Sequence, residues 1–169
     1  INTTATDLAV HAGKKFFKKY PEKKEEIDYL IFCTQSPDFF LPTSACLIQD
    51  RLGLRTGIGA IDINQGCTGF VYALSLAKGM IESNQVKNVL IITSETYSKY
   101  INDKDKSVRT IFGDAACCTF INSKKDDTEY ISKILHGTDG KGGQHLIVPH
   151  GAHKYPIDET SYIESEDTS

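Results

Sequence analysis

Apolar residues recur at helical spacing at Ala5, Leu8, Ala9, Ala12 and Phe16, with lysines between them. That stripe predicts an amphipathic helix. Thr4 offers a hydroxyl cap with the acid Asp7 three residues later, and Tyr20-Pro21 marks its end. The Lys/Glu run from Glu22 to Glu26 reads as a solvated loop or the start of a helix. Ile27 to Thr34 is short, β-rich and almost continuously apolar, as a strand buried on both faces should be. Ser36 to Pro42 is a loop with two prolines and an exposed Phe39-Phe40-Leu41. A second helix, capped by Thr43 or Ser44, runs to Leu52 and stops at Gly53. Ile58 to Ile63 is a second strand, and Asn64 to Gly69 a tight turn. The third helix spans Phe70 to Ser83. Its first half is apolar almost all round, which predicts a position in the middle of the molecule. Asn88 to Ser94 is a further buried strand. Two more are predicted at Ile111 to Asn122 and Tyr130 to His136, joined by a polar turn over Ser123 to Thr128. From Gly137 the chain is rich in Gly, His and acids, and Asp158 to Ser169 is expected to be disordered.

Strands alternating with helices predict an α/β layered fold on a largely parallel sheet with right-handed crossovers. The 169 residues allow one compact domain or part of a larger one. No apolar run approaches the ~18 residues of a membrane span, so no membrane association is expected. A net charge of −3 argues against a nucleic-acid partner. The five cysteines include no C-x-x-C and sit in apolar stretches, which points to reduced thiols in a cytoplasmic protein. No signal peptide is visible, and the start at Ile1 without methionine leads us to expect that the native start is missing.

Cys67 carries the candidate chemistry. It follows a strand and opens a helix, with Gly66 and Gly69 on either side, the arrangement of a nucleophile elbow. A helix N-terminus offers unpaired N–H groups and about half a positive charge. Both favour a thiolate, and the same N–H groups can hold an oxyanion. The pattern alone leaves open a small cysteine buried near a helix start. Cys117 and Cys118 should point to opposite faces of their strand and pack there, and Cys33 and Cys46 read as core. His136, His145, His150 and His153 match no zinc signature, so no metal site is expected. Gly137, Gly140, Gly142 and Gly143 match neither a P-loop nor a dinucleotide fingerprint, and no cofactor is expected.

Three segments carry a resemblance. Ile61-Asp62-Ile63-Asn64-Gln65-Gly66-Cys67-Thr68-Gly69-Phe70 is similar to the active-site segment of the β-ketoacyl-ACP synthase III family, in the thiolase superfamily. Leu41 to Gln49 resembles the loop and helix ahead of that family's nucleophile. Ile111-Phe112-Gly113-Asp114-Ala115-Ala116 resembles its F-G-D-[GA]-A strand start. The resemblance runs from about Thr3 to Pro149.

It implies a thiolase-like layered fold, seen mostly as the first of two pseudo-repeated halves. Residues 1–149 would be that half, incomplete at its start, and 150–169 a polar loop or tail leading to a missing second half. It implies a ping-pong Claisen condensation in which Cys67 takes an acyl group from acyl-CoA and passes it to a malonyl group on acyl-carrier protein. Leu41 matches a large apolar residue that the partner subunit of a homodimer inserts into the acyl pocket. Tyr97 and Phe112 match pocket-lining positions. Lys106 falls where the family has an arginine contacting CoA, and Arg109 lies nearby. The family's His and Asn, in a G-N-x-x-x-x-H-Q-A-N-like segment and beyond, are absent from these residues, so an interior piece is expected. Two other readings share these observations. One is an acyltransferase of the same fold in secondary metabolism; the other is a non-catalytic half-domain acting as a pairing module. A papain-type hydrolase lacks its C-G-S-C-W signature.

Overall fold

The computed structural model describes residues 2–157, and the expectation of disorder from Asp158 to Ser169 lies outside the described residues. The chain divides into two compact units, one to Ile134 and one from Leu135.

The first unit is built on a four-stranded sheet with the order β2-β1-β3-β4. β1 (Tyr29–Cys33) pairs in parallel with β2 (Gly59–Ile63) on one side and β3 (Asn88–Glu95) on the other. β4 (Ala115–Asn122) runs antiparallel to β3, from Asn88 opposite Asn122 to Glu95 opposite Ala115. The expected largely parallel sheet is therefore present, with an antiparallel terminal strand.

The period-2 alternation of the strands sorts their side chains onto two faces. Leu30, Phe32, Leu90, Ile92, Cys118 and Phe120 face α1 (Ala5–Lys19) and α3 (Ser44–Leu52). Ile31, Val89, Ile91, Ile63 and Ile121 face α4 (Gly69–Glu82). The β1–α3–β2 and β2–α4–β3 crossovers move in opposite directions across the sheet with their helices on opposite faces, so they share one hand. A short helix, α2 (Lys23–Glu26), follows α1. The Glu22–Glu26 run thus takes the helical option.

α1 begins at its capping box. Thr4 Oγ1 accepts from the Asp7 N–H at 3.2 Å, and the Thr4 N–H donates to Asp7 at 3.0 Å. α3 is capped differently from the sequence expectation. Thr43 stands at the cap position but makes no side-chain bond there. Asp62, on β2, instead accepts from the N–H groups of Ser44 and Ala45, both at 2.7 Å. A carboxylate serves a helix N-terminus better than a hydroxyl, since it adds charge to the helix dipole. Gly53 ends α3 at φ +61°, the left-handed conformation that glycine adopts without strain.

Several sequence expectations are corrected. Phe70, Val71 and Leu76 of α4 are 41%, 44% and 50% exposed, so this helix is not buried all round. It meets the sheet along the buried Gly69, Ala73 and Ala77, with the partly buried Leu74 and Ile81 packed beside them. The Ile111–Asp114 stretch is not strand; it follows the short helix α5 (Lys106–Arg109), whose Val108 carbonyl accepts from the Ile111 and Phe112 N–H groups. Tyr130–His136 forms no strand. Its backbone is tied to a side chain instead, the Ile131 carbonyl accepting from Lys78 Nζ at 2.7 Å. Cys46 and Cys117 are exposed rather than core, because each points away from the apolar layer that its neighbours fill. Asn88–Ser94 is the buried strand expected, with both edges hydrogen-bonded, to β1 and β4.

The second unit holds a 3-10 turn over Gly140–Gln144, with Asp139 accepting from the Lys141 N–H, and an antiparallel bridge between Ala152 and Tyr155.

Gly69 and Gly79 of α4 give a paired test of how close this helix lies to the sheet. A Cβ on Gly69 would sit 2.2 Å from Cys33 Sγ, whereas one on Gly79 meets nothing within 4 Å. Gly69→Ala should destabilise by about 1–3 kcal/mol through overpacking. Gly79→Ala should stabilise by about 0.5–1 kcal/mol, as helix propensity dictates. Urea unfolding of the two variants measures both, and equal effects would contradict the packing described.

Candidate active site

The carboxyl ends of β1, β2 and β3, together with the start of β4, lie at one end of the sheet. In open α/β sheets this is where ligands bind. Four segments meet there: Thr34–Ser36, Asn64–Thr68, Thr96–Tyr100 and Phe112–Asp114.

Cys67 is exposed in the turn between Ile63, the last residue of β2, and Gly69, the first of α4. The turn is closed by the Gly69 N–H donating to the Gly66 carbonyl at 2.7 Å and by Gln65 Nε2 donating to Thr68 Oγ1 at 3.0 Å. The N–H of Cys67 donates to no protein acceptor among the described residues. Two close approaches leave no room for side chains. At Gly69 the neighbour is Cys33 Sγ, which donates to the Gln65 carbonyl at 3.2 Å. At Gly66 a Cβ would stand 2.4 Å from Gln35 Oε1 and 3.3 Å from Tyr97 Oη.

Tyr97 opens a 3-10 turn (Tyr97–Lys99) directly after β3. Its hydroxyl donates to Gln35 Oε1 in a short hydrogen bond. Its ring lies 5.2 Å from that of Phe112 and 6.1 Å from that of Tyr100, and the Tyr100 hydroxyl donates to the Gln35 carbonyl at 3.1 Å. Burial, reinforced by the charges of Glu95 and of Cys67, pushes the Tyr97 phenol up to about 12. Burial and Glu95 likewise push the Cys33 thiol up to about 11. Asp114 accepts from the N–H and hydroxyl of Ser98, at 2.9 and 2.5 Å, fixing the Phe112 segment to the Tyr97 turn.

Cys67, Tyr97 and Phe112 therefore share one neighbourhood. Lys106 and Arg109 lie exposed on α5, immediately ahead of Phe112; Arg109 donates to the Asp103 carbonyl and pairs with its carboxylate at 3.4 Å. Leu41 takes no part in this cluster of hydrogen bonds and ring contacts and is 83% exposed. Two residues escaped the sequence reading, Gln35 and Glu95, while Asp114 entered it only as part of the F-G-D-[GA]-A resemblance, without a structural role. A signal for the first two was available, since Cys33-Thr34-Gln35-Ser36 and Ser94-Glu95-Thr96 put polar residues at the carboxyl ends of buried parallel strands. Among the described residues no group of three or more His, Cys, Asp or Glu side chains converges as a metal site would need.

Residues 61–140 match the family model for 3-oxoacyl-[acyl-carrier-protein (ACP)] synthase III. The chain is 40% identical over 148 residues to a β-ketoacyl-[acyl-carrier-protein] synthase III of Clostridium perfringens, covering 88% of this chain and 45% of that protein. A solved 3-oxoacyl-(acyl-carrier-protein) synthase III superimposes with a TM-score of 0.91 at 46% identity, over 95% of this chain and 48% of the other. The chain belongs to the β-ketoacyl-ACP synthase III family. Its fold is the thiolase-like layered α/β fold. The 3-oxoacyl-(acyl-carrier protein) synthase of Burkholderia xenovorans LB400 matches at 34% identity and a TM-score of 0.83, over 99% of this chain and 47% of that one. The chain thus spans a little under half the length of the curated relatives it matches.

The thiols differ enough in setting to be ranked. Cys33 and Cys118 are held above the ordinary thiol range by burial, the latter at about 12, so little of either is thiolate near neutral pH. Cys117 is exposed within β4, and Cys46, exposed in the first turn of α3, shares that helix start with the Asp62 carboxylate, which already takes the Ser44 and Ala45 N–H groups. Cys67 should be alkylated fastest of the five by limiting iodoacetamide, read by peptide mass spectrometry. Labelling of Cys46 or Cys117 at the same rate as Cys67 would count against an activated turn.

Proposed function

We propose that this chain supplies the nucleophilic half of an acyl-CoA-dependent condensing enzyme that starts fatty-acid chains. The observation that carries the proposal is an exposed thiol on a tight turn at the head of a 14-residue helix, in a chain of this family.

Cys67 thiolate attacks the thioester carbonyl of acyl-CoA. The carbon–sulfur bond to CoA breaks, CoA leaves as a thiol after taking a proton, and the acyl group stays on Cys67. The Cys67 N–H, with no protein acceptor among the described residues, serves as one donor to the oxyanion. Malonyl-ACP then loses carbon dioxide, its enolate carbon attacks the Cys67 thioester, and the Cys67 thiolate is released. A nucleophile alone does not perform this second half, since the enolate must also be stabilised. We assign that stabilisation to a His and an Asn in a second half beyond residues 1–149. Tyr97 and Phe112 bound the acyl group, and Lys106 with Arg109 meets the charged part of CoA; lysine keeps the charge but lacks the bidentate fork of arginine. No metal or organic cofactor enters these steps. No helix among the described residues is long and apolar enough to cross a membrane. Five unpaired thiols are in keeping with a reducing, cytoplasmic setting.

We further propose a homodimer. β2 is a terminal strand, so its outer edge is open to pairing, and an open edge invites a second copy. Phe39, Phe40 and Leu41 stand exposed in the loop before α3 and supply apolar area, with Leu41 reaching the partner's acyl pocket.

Two experiments test these readings. Complete protein incubated with radiolabelled acetyl-CoA should carry label on Cys67, and Cys67→Ala should abolish it while leaving the fold intact. With malonyl-ACP present the complete protein should release carbon dioxide and the isolated 169-residue chain should not. Label retained in Cys67→Ala would mean the wrong nucleophile, and acyl transfer without carbon dioxide release would favour an acyltransferase of the same fold. Light scattering of the complete protein at micromolar concentration should give a dimer mass; a clean monomer would reject the dimer.

A further inference from the structure

We infer that Glu95 is a positioning residue, which holds the Thr34–Ser36 turn so that Gln35 fixes both Tyr97 and the Gly66–Cys67 turn; the inference rests on the reading of Cys67 as the acyl acceptor.

Three donors from three consecutive residues converge on this one carboxylate. The Gln35 N–H donates to Oε1 at 2.7 Å, and the hydroxyls of Ser36 and Thr34 donate to Oε2 at 2.7 and 3.3 Å. The two hydroxyls also stand 3.4 Å apart, where one could donate to the other, but only by giving up its shorter bond to Glu95. Ser36 Oγ already accepts from the Thr96 N–H at 2.9 Å, and Thr34 Oγ1 from the Ser36 N–H at 3.0 Å. Each oxygen thus accepts one N–H bond and donates its own proton to Glu95. An acceptor-only side chain is what this arrangement requires.

The turn so held has left the sheet. Thr34 donates to the Ile63 carbonyl at 3.1 Å, but Gln35 and Ser36 lie beyond the β1 ladder. Gln35 then links the two halves of the site. Its side-chain oxygen accepts from Tyr97 and packs against Gly66, while its carbonyl accepts from Tyr100. The chain of contact runs Glu95, Gln35, Gly66 and on to Cys67. Both oxygens of Glu95 hold donors of the Thr34–Ser36 turn, which makes its role one of positioning. Its charge serves the arrangement in another way. It helps to keep the Tyr97 phenol protonated, which is the form that donates to Gln35.

The test uses the complete protein with acetyl-CoA and with iodoacetamide. Acylation of Cys67 is followed in single turnovers and expressed per reactive site. Glu95→Gln keeps the shape but turns an amide N–H₂ toward donors. It should lower the maximal acylation rate about tenfold while moving the half-saturating acetyl-CoA concentration less than about twofold, as misplacement of a nucleophile does. Tyr97→Phe should be slowed as well, and the double variant should be no slower than Glu95→Gln alone, because both act through Gln35. A Glu95 that merely stabilises the fold would lower the melting temperature and the fraction of reactive sites but leave the per-site rate at the wild-type value, and that result overturns the inference. So does a double variant in which the two losses multiply. Alkylation by iodoacetamide needs no acyl donor, so it tests positioning even where the acyl-acceptor reading fails. Cys67 should react about threefold or more slowly in Glu95→Gln with Cys46 and Cys117 unchanged; an unchanged Cys67 rate overturns the inference. Failure of the underlying reading shows itself separately, as absence of acyl label on Cys67 in the wild-type protein.

Discussion

Everything at the site depends on how the chain gets from β2 back across β1. β2 is a terminal strand, yet the helix that follows it covers β1 and β3. Only five residues, 64–68, separate strand from helix, so the helix start must pass directly over the end of β1. It does so at Gly69, where the absent side chain leaves just enough room for Cys33 Sγ. A larger residue at Gly69 would lift the first turn of α4, and Cys67 with it. The bond from Cys33 Sγ to the Gln65 carbonyl draws the same turn down onto the strand end. Backbone sterics on one side and one buried thiol on the other thus set the height at which Cys67 stands.

That constraint is local, which is why it was legible in the sequence. A glycine-flanked cysteine between a strand pattern and a helix pattern describes a turn within six residues. The Thr4–Asp7 capping box is equally short-range and was equally legible. Asp62 was not, because its partners, Ser44 and Ala45, lie 18 and 17 residues away and meet it only once α3 lies alongside β2. The predicted strand at Tyr130–His136 failed for a related reason. Its apolar residues fit a strand, but pairing is a property of the neighbour as well, and this backbone is engaged by Lys78. Ile111–Asp114 has a strand composition too, yet Val108 draws Ile111 and Phe112 into the turn that follows α5.

The polar half of the site was the least legible part. Gln35 and Glu95 are 60 residues apart, and each looks in isolation like an ordinary polar residue ending a strand. Parallel pairing of β1 with β3 brings Cys33 opposite Thr93, so the residues just beyond each strand are placed side by side. A short, buried, unbroken apolar strand is almost a guarantee that its first polar residue will emerge at the sheet's end beside its neighbours' first polar residues. The network is therefore a consequence of register, and register was what the sequence pattern left open.

The two faces of the sheet are finished unequally, and the inequality bears on the site. One face is closed by α1 and α3, with Phe16 stacked on Phe120 at 6.2 Å and Ser94 bonded to the Ala5 carbonyl. The other carries α4, which presents Gly69, Ala73 and Ala77 to the strands at a spacing of four, so the helix lies close along one ridge. The sequence read this helix as apolar all round because its outer residues, Phe70, Val71 and Leu76, are apolar as well. An amphipathic helix would have polar residues there. Apolar area of this kind, beginning one residue beyond the helix start at Gly69, is seldom left to water. Whatever layer covers α4 will therefore also approach the mouth of the turn, so closing the hydrophobic surface and excluding water from the thiol are two results of one packing step.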